Sequence, residues 1–499
     1  MNTQTPGETE TDFSGVDRAR LIEALRQVLP AAALLYERED LLPYECDGLS
    51  AYRQVPLIVA LPETEAQVVE ILKICHRLHA PVVARGAGTG LSGGALPHQF
   101  GVLLSLAKFN RILKLDAQAR LAVVQPGVRN LAISEAAAPA GLYYAPDPSS
   151  QIACSIGGNV AENSGGVHCL KYGLTVHNVL RVRAVTIEGE VLELGGQALD
   201  SAGFDLLALL HGSEGMLAVM TEITVKLTPK PASAQVILAA FDDVSRASDA
   251  VAAVIAAGII PAGLEMMDQK ALQAVEPFVK AGYPVDAAAI LLCESDGMAE
   301  EVGEEVLRMK AVLAASGATE LRVSRDEPER LRFWSGRKAA FPAMGRISPD
   351  YYCMDGTIPR RKLAVMLSAI TQMEKKYGLR CANVFHAGDG NLHPLILYDA
   401  NQPGELERTE AFGAEILELS VALGGTITGE HGVGFEKINQ MCTQFKSAEL
   451  RAFHRVKAAF DERGLLNPGK AVPTLHRCAE YGALHVHRGE VKFPELERF

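Results

Sequence analysis

The sequence lacks any run rich in lysine and arginine. Its 48 basic residues are outnumbered by 60 acidic ones, which gives a formal net charge of −12. Proteins that bind DNA or RNA usually carry clustered basic residues, because the phosphate backbone supplies much of their affinity. We therefore do not expect a nucleic-acid partner.

Also missing is an apolar run of about 18 residues, the length that a membrane-spanning helix requires. The nearest candidate, VAAVIAAGII over 251–260, is too short and ends at Pro261. The polar, acidic start of the chain has no basic residues followed by an apolar segment, as a secretory signal has. These features predict a cytoplasmic protein whose contact with a membrane is peripheral or made through a partner.

Cysteine pairs with metal-binding spacing are absent as well. The nine cysteines are scattered, and no two of them form a CxxC motif. This argues against an iron–sulfur cluster or a cysteine-rich zinc site in this chain. An odd, dispersed set without a secretory signal is typical of reduced thiols in the cytosol.

The chain has 499 residues, which is too long for a single hydrophobic core, so we expect two or three domains. Helical and strand periodicities alternate along it, and Pro229 and Pro231 mark a boundary. We divide the chain into a helical N-terminal segment (1–52), a first α+β domain with two glycine-rich stretches (53–231), a second α+β domain (232–440), a C-terminal helix with the motif NPGK (441–470) and a polar tail (471–499).

The first glycine-rich stretch, ARGAGTGLSGGALP over 84–97, contains the spacing GxGxxG. A Rossmann motif would continue directly into a helix, whereas here Gly94 and Pro97 lead into a strand. Consecutive glycines can still bind phosphate through their backbone N–H groups, although this run alone would suit a surface loop equally well. The second stretch, SIGGNVAENSGG over 155–166, favours binding, because two such loops could hold one extended nucleotide with its pyrophosphate between them.

The segment HAGDGNLH over 386–393 contains two histidines seven residues apart. Histidines in glycine-rich loops often only form hydrogen bonds, and the zinc motif HExxH is absent. A companion segment, GGTITGEHGVG over 424–434, places Glu430 beside His431. Two neutral imidazoles and one carboxylate would form a three-ligand site with open positions, which suits a divalent first-row metal.

Six motifs together resemble those of the vanillyl-alcohol oxidase/p-cresol methylhydroxylase superfamily of FAD-linked oxidases: RGAGTGLSGGALP, PDPSSQIACSIGGNVAENSGGVHCLKYG, GSEGMLAV, HAGDGNLHP, GGTITGEHGVG and LLNPGK. The resemblance is strongest to the branch that oxidises D-2-hydroxy acids, and it covers roughly residues 20–470. It implies an α+β fold with a two-part FAD-binding domain of the vanillyl-alcohol oxidase type and an α+β substrate, or cap, domain with an antiparallel sheet.

The resemblance also implies which residues contact FAD. The pyrophosphate would lie against the first stretch, at Arg85, Gly86, Gly88, Thr89, Gly90, Leu91, Ser92 and Gly94. The flavin and ribityl would lie against Pro146, Ser149, Ser155, Gly157, Gly158, Asn159, Asn163, Gly165 and Gly166. Contacts elsewhere along the cofactor would come from Glu214, Val219, Asn391, Asn467 and Lys470. Because 84–94 contains no histidine or cysteine for covalent attachment, we expect FAD to be bound non-covalently.

By the same resemblance His386, His393 and Glu430 would bind the metal, which could be zinc, manganese or iron. A metal that chelates the hydroxyl and carboxylate of a 2-hydroxy acid would lower the pKa of the hydroxyl. His431 is our candidate for the catalytic base and for a substrate contact, with a further metal ligand as its alternative role.

A substrate carboxylate would pair well with the planar cation of an arginine. The segment RFWSGRKAAFPAMGRISPDYY offers several, and the resemblance implies Arg337, three residues after Trp334. We include Arg346 as a further candidate, although the spacing downstream of Arg337 departs slightly from the hydroxyglutarate-type pattern.

The predicted function is FAD-dependent oxidation of a small 2-hydroxy acid, glycolate or D-lactate, to its 2-oxo acid. The chain has neither an iron–sulfur motif nor a nicotinamide fold, so electrons would have to pass to a partner. Family precedent implies a second flavin-type subunit and an iron–sulfur subunit that feed the respiratory chain at the inner face of the cell membrane, with the tail as a docking segment. The alternatives are a stand-alone D-lactate or D-2-hydroxyglutarate dehydrogenase and a non-catalytic flavin-binding subunit.

Overall fold

The computed structural model describes residues 11–198 and 203–484. The α-helices within these ranges are Arg18–Leu25, Arg38–Leu41, Glu65–Leu78, Asn130–Ala137, Ile156–Glu162, Cys169–Tyr172, Leu206–Leu210, Val244–Ala256, Gln269–Val279, Ala299–Ala315, Glu327–Lys338, Ala340–Met344, Leu363–Tyr377, Glu405–Ala422, Met441–Gln444, Ser447–Phe460 and Leu475–Leu484. Among the described helices, none has the length and apolar character that crossing a membrane would require.

Two sheets form the N-terminal part of the molecule. The first is four-stranded, with parallel pairing around its third member, and its order is Leu34–Leu35, Ile58–Ala60, Val102–Ser105 and Val82–Arg85. The second is antiparallel and five-stranded, in the order Ile112–Asp116, Leu121–Val124, Val219–Lys226, Val179–Val185 and Val191–Gly195. A small ribbon pairs Leu142–Tyr143 with Thr228–Pro229.

The helix Glu65–Leu78 shows how sequence pattern produces this packing. Thr64 and Gln67 form a reciprocal capping box at its start, as their spacing predicts. Its apolar residues recur every three or four positions, so they share one face, which is buried with the first sheet in a common core. The loop after Val82–Arg85 is thereby held at the edge of a rigid layer.

The cap domain contains one antiparallel sheet of seven strands. Their order is Glu320–Val323, Ser233–Phe241, Ala289–Gly297, Gly263–Asp268, Arg380–Phe385, Pro394–Tyr398 and Asp350–Cys353. Alternate residues of Ser233–Phe241 enter two separate apolar cores, one on each face of the sheet. Helices therefore cover both faces, and the predicted α+β class with an antiparallel cap sheet is confirmed.

The end of the chain returns to the N-terminal part. Leu466 pairs with Val82, and the Asn467 side chain donates hydrogen bonds to the carbonyls of Gly94 (2.8 Å) and Glu214 (2.6 Å). The Lys470 ammonium donates to the Leu96 carbonyl at 2.7 Å. The motif NPGK is therefore hydrogen-bonded to the end of the first glycine-rich stretch, at Gly94 and Leu96.

Three local expectations are corrected. The stretch 155–166 is not entirely loop, because the Ser155 hydroxyl caps a helix over Ile156–Glu162 that ends at Asn163 in a left-handed conformation. The helical spacing of Leu21, Leu25, Val28 and Leu29 predicts a helix that Pro30 stops, whereas the helix ends at Leu25.

The third correction concerns the cysteines. Cys442 and Cys478 form a disulfide, with Cα atoms 5.3 Å apart, whereas the other seven are free thiols. These two lie 36 residues apart, on the short helix Met441–Gln444 and on Leu475–Leu484. Only the packing of those helices brings them together, so spacing could not reveal the bond.

Candidate active site

A cavity of about 370 Å³ lies between the two glycine-rich loops and the cap. Many residues predicted to contact the cofactor line it: Arg85, Gly86, Gly88, Thr89, Gly90, Leu91, Gly94, Ser149, Ser155, Gly157, Gly158, Asn159, Glu214 and Val219. His393, Glu430 and His431 line the same cavity from the cap side. The structure therefore brings the predicted cofactor loops and the predicted metal site to one place.

Close backbone approaches explain why glycine is needed in the cavity wall. A Cβ atom on Gly86 would lie 2.1 Å from the Ser155 hydroxyl, and one on Gly157 would lie 2.5 Å from the Pro126 side chain. The Ser155 hydroxyl also accepts a hydrogen bond from the Ala87 N–H at 3.3 Å, which ties the two loops together. This narrow cradle, with few side chains in the way, fits an extended dinucleotide such as FAD.

Arg85 is the exception in the first loop. Its guanidinium donates to the backbone carbonyls of Cys46 (2.7 Å) and Tyr44 (3.3 Å). The side chain therefore fixes the loop against the N-terminal segment, although the residue itself lines the cavity.

The remaining predicted cofactor residues do not line this cavity. They are Ser92, Pro146, Asn163, Gly165, Gly166, Asn391, Asn467 and Lys470. Pro146 accepts a hydrogen bond from Asn130 at 2.9 Å, and Asn130 in turn accepts one from Asn159 at 2.8 Å. Asn130 was missed from the sequence, because it lies on a helix whose pattern suggested only packing.

Predicted metal ligands meet at the end of a β-hairpin. The segment 386–393 connects the paired strands Arg380–Phe385 and Pro394–Tyr398, so His386 and His393 flank one turn. Thr357 forms β-bridges both to Asn391 in this turn and to Thr426 in the segment 424–434, which carries Glu430. That bridge brings Glu430 to the histidines.

The distances among these three side chains suit a metal site. The Glu430 Oε1 atom lies 3.2 Å from His386 Nε2 and 3.3 Å from His393 Nε2. One donor atom from each of the three falls within 4.8 Å of the others, and both histidines are buried. Burial alone would raise the pKa of Glu430, but His386 and His393 hold it well below its usual value. The donor set therefore fits a divalent cation.

Asp355 forms a second compact group with His393 and His431, but its oxygens are already engaged. It accepts the backbone N–H groups of Gly429 (3.0 Å) and His431 (2.9 Å), and the Lys437 ammonium lies 3.1 Å away. Both Asp355 and Lys437 are completely buried. We interpret this pair as the support of the loop that carries Glu430, and nothing in the local sequence signals it.

His431 lies differently from the predicted ligands. Its ring stacks on that of His393, with centroids 4.8 Å apart, and its Nε2 atom is 3.9 Å from Glu430. Its buried Nδ1 atom has no hydrogen-bond partner among the described residues. Burial lowers the pKa of His431 to about 4, so the imidazole is neutral and can accept a proton.

The two predicted substrate arginines are placed apart. Arg337 is buried and donates from Nε to Glu265 at 2.7 Å, and that carboxylate also contacts His386 at 2.7 Å. Arg346 is exposed, with its guanidinium 5.4 Å from the centre of the Phe278 ring, and it does not line the cavity. The structure therefore gives Arg346 no contact with the site, because the helix Ala340–Met344 ends before it and directs it outward.

On the cap side of the cavity, three lining residues were missed from the sequence: Lys338, Phe341 and Pro342. They lie at and after the end of the helix Glu327–Lys338. The Phe341 ring is 6.5 Å from that of His393, so it forms the wall beside the predicted metal site. Their positions follow from how that helix packs on the cap, which residue spacing does not disclose.

Two protein families match the chain. The FAD binding domain matches residues 56–195, and the FAD linked oxidases, C-terminal domain, matches residues 230–471. The chain belongs to the FAD-linked oxidases and is an FAD-dependent oxidoreductase, as the resemblance predicts.

Curated relatives narrow the comparison further. The chain is 64% identical over 484 residues to the glycolate oxidase subunit GlcD of Escherichia coli (strain K12), covering 97% of each protein. It is 40% identical over 430 residues to GlcD of Bacillus subtilis (strain 168), covering 86% of this chain and 92% of that one. A D-lactate dehydrogenase of Anaerostipes hadrus is 30% identical over 462 residues, covering 90% and 96%.

Solved structures share the fold at low identity. p-Cresol methylhydroxylase with substrate bound superposes with a TM-score of 0.78 at 18% identity, covering 93% of this chain and 98% of that one. The 4-ethylphenol oxidase from Gulosibacter chungangensis gives 0.75 at 17% identity, covering 93% and 99%. These likenesses establish the architecture of the vanillyl-alcohol oxidase type.

Proposed function

We propose that the protein oxidises glycolate, and also D-lactate, to the 2-oxo acid, using non-covalently bound FAD and a divalent metal. The observation that carries this proposal is the convergence of His386, His393 and Glu430, the last two of which line the glycine-lined cavity together with His431. The GlcD relatives support glycolate as substrate, and the Anaerostipes hadrus relative supports D-lactate.

Each cofactor would supply one part of the chemistry. FAD, when bound, would accept the hydride from the substrate carbon. A zinc, manganese or iron ion held by His386, His393 and Glu430 would make the substrate hydroxyl more acidic.

His431 is proposed to take the hydroxyl proton at Nδ1, which is buried and unpartnered among the described side chains. A neutral, largely buried imidazole is a suitable base, and the stacked ring of His393 limits its rotation. The backbone N–H of His431 donates a hydrogen bond to the Asp355 carboxylate at 2.9 Å, so the backbone of His431 is fixed as well. The chain would therefore present a preorganised base next to the metal ligands.

The cavity wall supports a small, anionic substrate. Phe341 and Pro342 close the space beside His393, which leaves little room for a long side chain. Lys338 is an exposed cation on the same wall and would attract a carboxylate. Arg337 stays a candidate for the carboxylate, because its Nη2 atom is buried without a partner among the described residues.

We further propose that electrons leave for a second flavin-type subunit and an iron–sulfur subunit at the inner face of the cell membrane. The relatives from Escherichia coli and Bacillus subtilis are named as subunits, which supports an assembly. The described part of the predicted docking tail is 471–484, where the helix Leu475–Leu484 is joined to the body by the Cys442–Cys478 disulfide; residues 485–499 lie outside the described ranges.

The test is anaerobic bleaching of the bound flavin by glycolate, D-lactate, L-lactate and D-2-hydroxyglutarate, before and after treatment with a chelator. We expect bleaching by glycolate and D-lactate only, loss of bleaching on metal removal, and recovery when metal is returned. Bleaching by D-2-hydroxyglutarate alone would favour the stand-alone enzyme. Bleaching that survives complete metal removal would contradict the metal role.

A further inference from the structure

Glu265 lies between the two parts of the proposed site. It sits on the strand Gly263–Asp268 with 1% of its surface exposed. One carboxylate oxygen is 2.7 Å from His386 Nδ1, and the other accepts from Arg337 Nε at 2.7 Å. Three separate segments therefore contribute one continuous buried chain, from Arg337 through Glu265 to His386.

The chemistry of a carboxylate dictates how its neighbours must be arranged. An ionised carboxylate only accepts hydrogen bonds, so the Nδ1 atom of His386 must carry the proton. When His386 is neutral, as a metal ligand must be, its lone pair is then on Nε2, the atom that lies 3.2 Å from Glu430. Hydrogen bonds of this kind fix the tautomer and ring orientation of metal-binding histidines in general.

The same carboxylate determines what remains of Arg337. Because Nε is used by Glu265, the guanidinium cannot rotate freely, and its Nη2 atom is left buried without a partner among the described groups. A buried, unsatisfied donor is costly unless it gains an acceptor. An incoming carboxylate would supply one.

We infer that Glu265 is a positioning residue that couples the metal centre to the substrate arginine, by holding His386 in its metal-binding tautomer and Arg337 in a fixed orientation at once. This inference rests on the proposed function. A glutamine at this position could not replace the carboxylate, because its amide has one acceptor and one donor side, whereas both neighbours donate.

The experiment compares Glu265→Gln with Glu294→Gln. Glu294 is a matched control, since it is also buried, lies on the adjacent strand opposite Gly263, and bonds to Arg330 on the same helix as Arg337. Zinc or manganese is titrated into the metal-stripped, FAD-loaded proteins, and bound metal, FAD content and melting temperature are measured. We expect Glu265→Gln to weaken metal binding by about 10–100-fold with FAD retained, and Glu294→Gln to bind metal nearly as wild type does.

A third variant, Arg337→Met, separates the two halves of the inference. Arg337→Met should leave metal affinity close to that of wild type but raise the KM for glycolate. Glu265→Gln should weaken metal binding and, when measured at saturating metal, should also raise the KM for glycolate. Metal affinity in Glu265→Gln that equals wild type, or that falls no further than in Glu294→Gln, would overturn the inference. Wild-type protein that binds metal but is not reduced by glycolate would contradict the proposed function instead, and the affinity comparison would still decide the role of Glu265.

Discussion

The imidazole rings of His393 and His431 are stacked, with centroids 4.8 Å apart and an angle of 3° between the ring planes. Of these two histidines, only His393 places a nitrogen within 3.3 Å of Glu430, whereas Nε2 of His431 is 3.9 Å away. Two chemically identical side chains thus have separate surroundings. We expect them to have separate roles, one as ligand and one as base.

Replacement of the base should leave the binding sites intact. In His431→Asn we expect flavin reduction by glycolate to slow by about 10²–10⁴-fold, the usual contribution of a positioned base. Metal and FAD contents should stay near those of wild type, whereas His393→Asn should lose metal. Stopped-flow absorbance and metal analysis check both variants, and loss of metal from His431→Asn would show that His431 is a ligand.

Removal of the Phe341 ring should widen the range of substrates. The ring borders His393 and is only partly buried, so Phe341→Ala should fold normally. We expect kcat/KM for D-2-hydroxybutyrate, relative to glycolate, to rise by at least about 10-fold, since each extra methylene that finds an apolar pocket is worth that much. Phe278→Ala, at an exposed ring outside the cavity wall, is the control. An unchanged ratio in Phe341→Ala would mean that another residue limits substrate length.

Stability should depend on pH through Glu436. Burial raises the pKa of Glu436 to about 8, and both of its oxygens lack a hydrogen-bond partner among the described atoms. In the unfolded chain the pKa of a glutamate is about 4.3. The contribution of Glu436 to stability is therefore complete below that pH and is lost as the pH rises through its folded pKa of about 8. Glu436→Gln should therefore melt progressively higher than wild type between about pH 5 and pH 8. A constant difference in melting temperature over that interval would contradict the assignment.

Reduction of the disulfide should release the C-terminal helix. The bond closes a separation of 36 residues, and a loop of that size is stabilised by about 3–4 kcal/mol in the chain-entropy account. Under reductant, limited proteolysis should cut at Leu475–Leu484 while FAD stays bound to the core. Cys478→Ser should show the same cleavage without reductant and no further response to it; resistance of that variant to protease would contradict the expectation.

Denaturation should release the flavin. The cavity wall formed by 84–94 contains no histidine or cysteine, and the only cysteine lining the rest of the described cavity is Cys154. Acid precipitation is expected to leave FAD in the supernatant, measured by its fluorescence. Flavin that remains with the pellet would identify a covalent bond, with Cys154→Ser as the variant that tests it.

Local sequence predicted much of the fold. Apolar periodicity predicts a helix over 404–423 and another after the Thr64 cap, and the structure has Glu405–Ala422 and Glu65–Leu78. The alternating segments near 180–226 predict an antiparallel sheet, which they form. The helix over Ile156–Glu162 was missed, because its two adjacent glycines disfavour helix and only the Ser155 cap and tertiary packing stabilise it.

The site was predicted where chemistry is concentrated in short motifs. The histidines of 386–393 and Glu430 do converge, because each motif is a turn beside a rigid strand or loop. Glu265, Asp355 and Lys437 were not predicted, since each lies in an ordinary-looking segment and its partners come from other parts of the chain. Arg346 shows the converse case: a suitable residue type in a suitable segment is exposed and does not line the cavity.

The Cβ that Gly165 lacks would lie 2.4 Å from Glu430 Oε2. The backbone at Gly165, in the second glycine-rich stretch, therefore limits how far the Glu430 side chain can move toward it. The loop that carries Gly165 and the loop that carries Glu430 therefore pack so closely that a larger side chain on one would clash with the other. Such close packing limits how the enzyme can evolve: a new residue in the flavin loop is acceptable only if the loop bearing Glu430 changes with it.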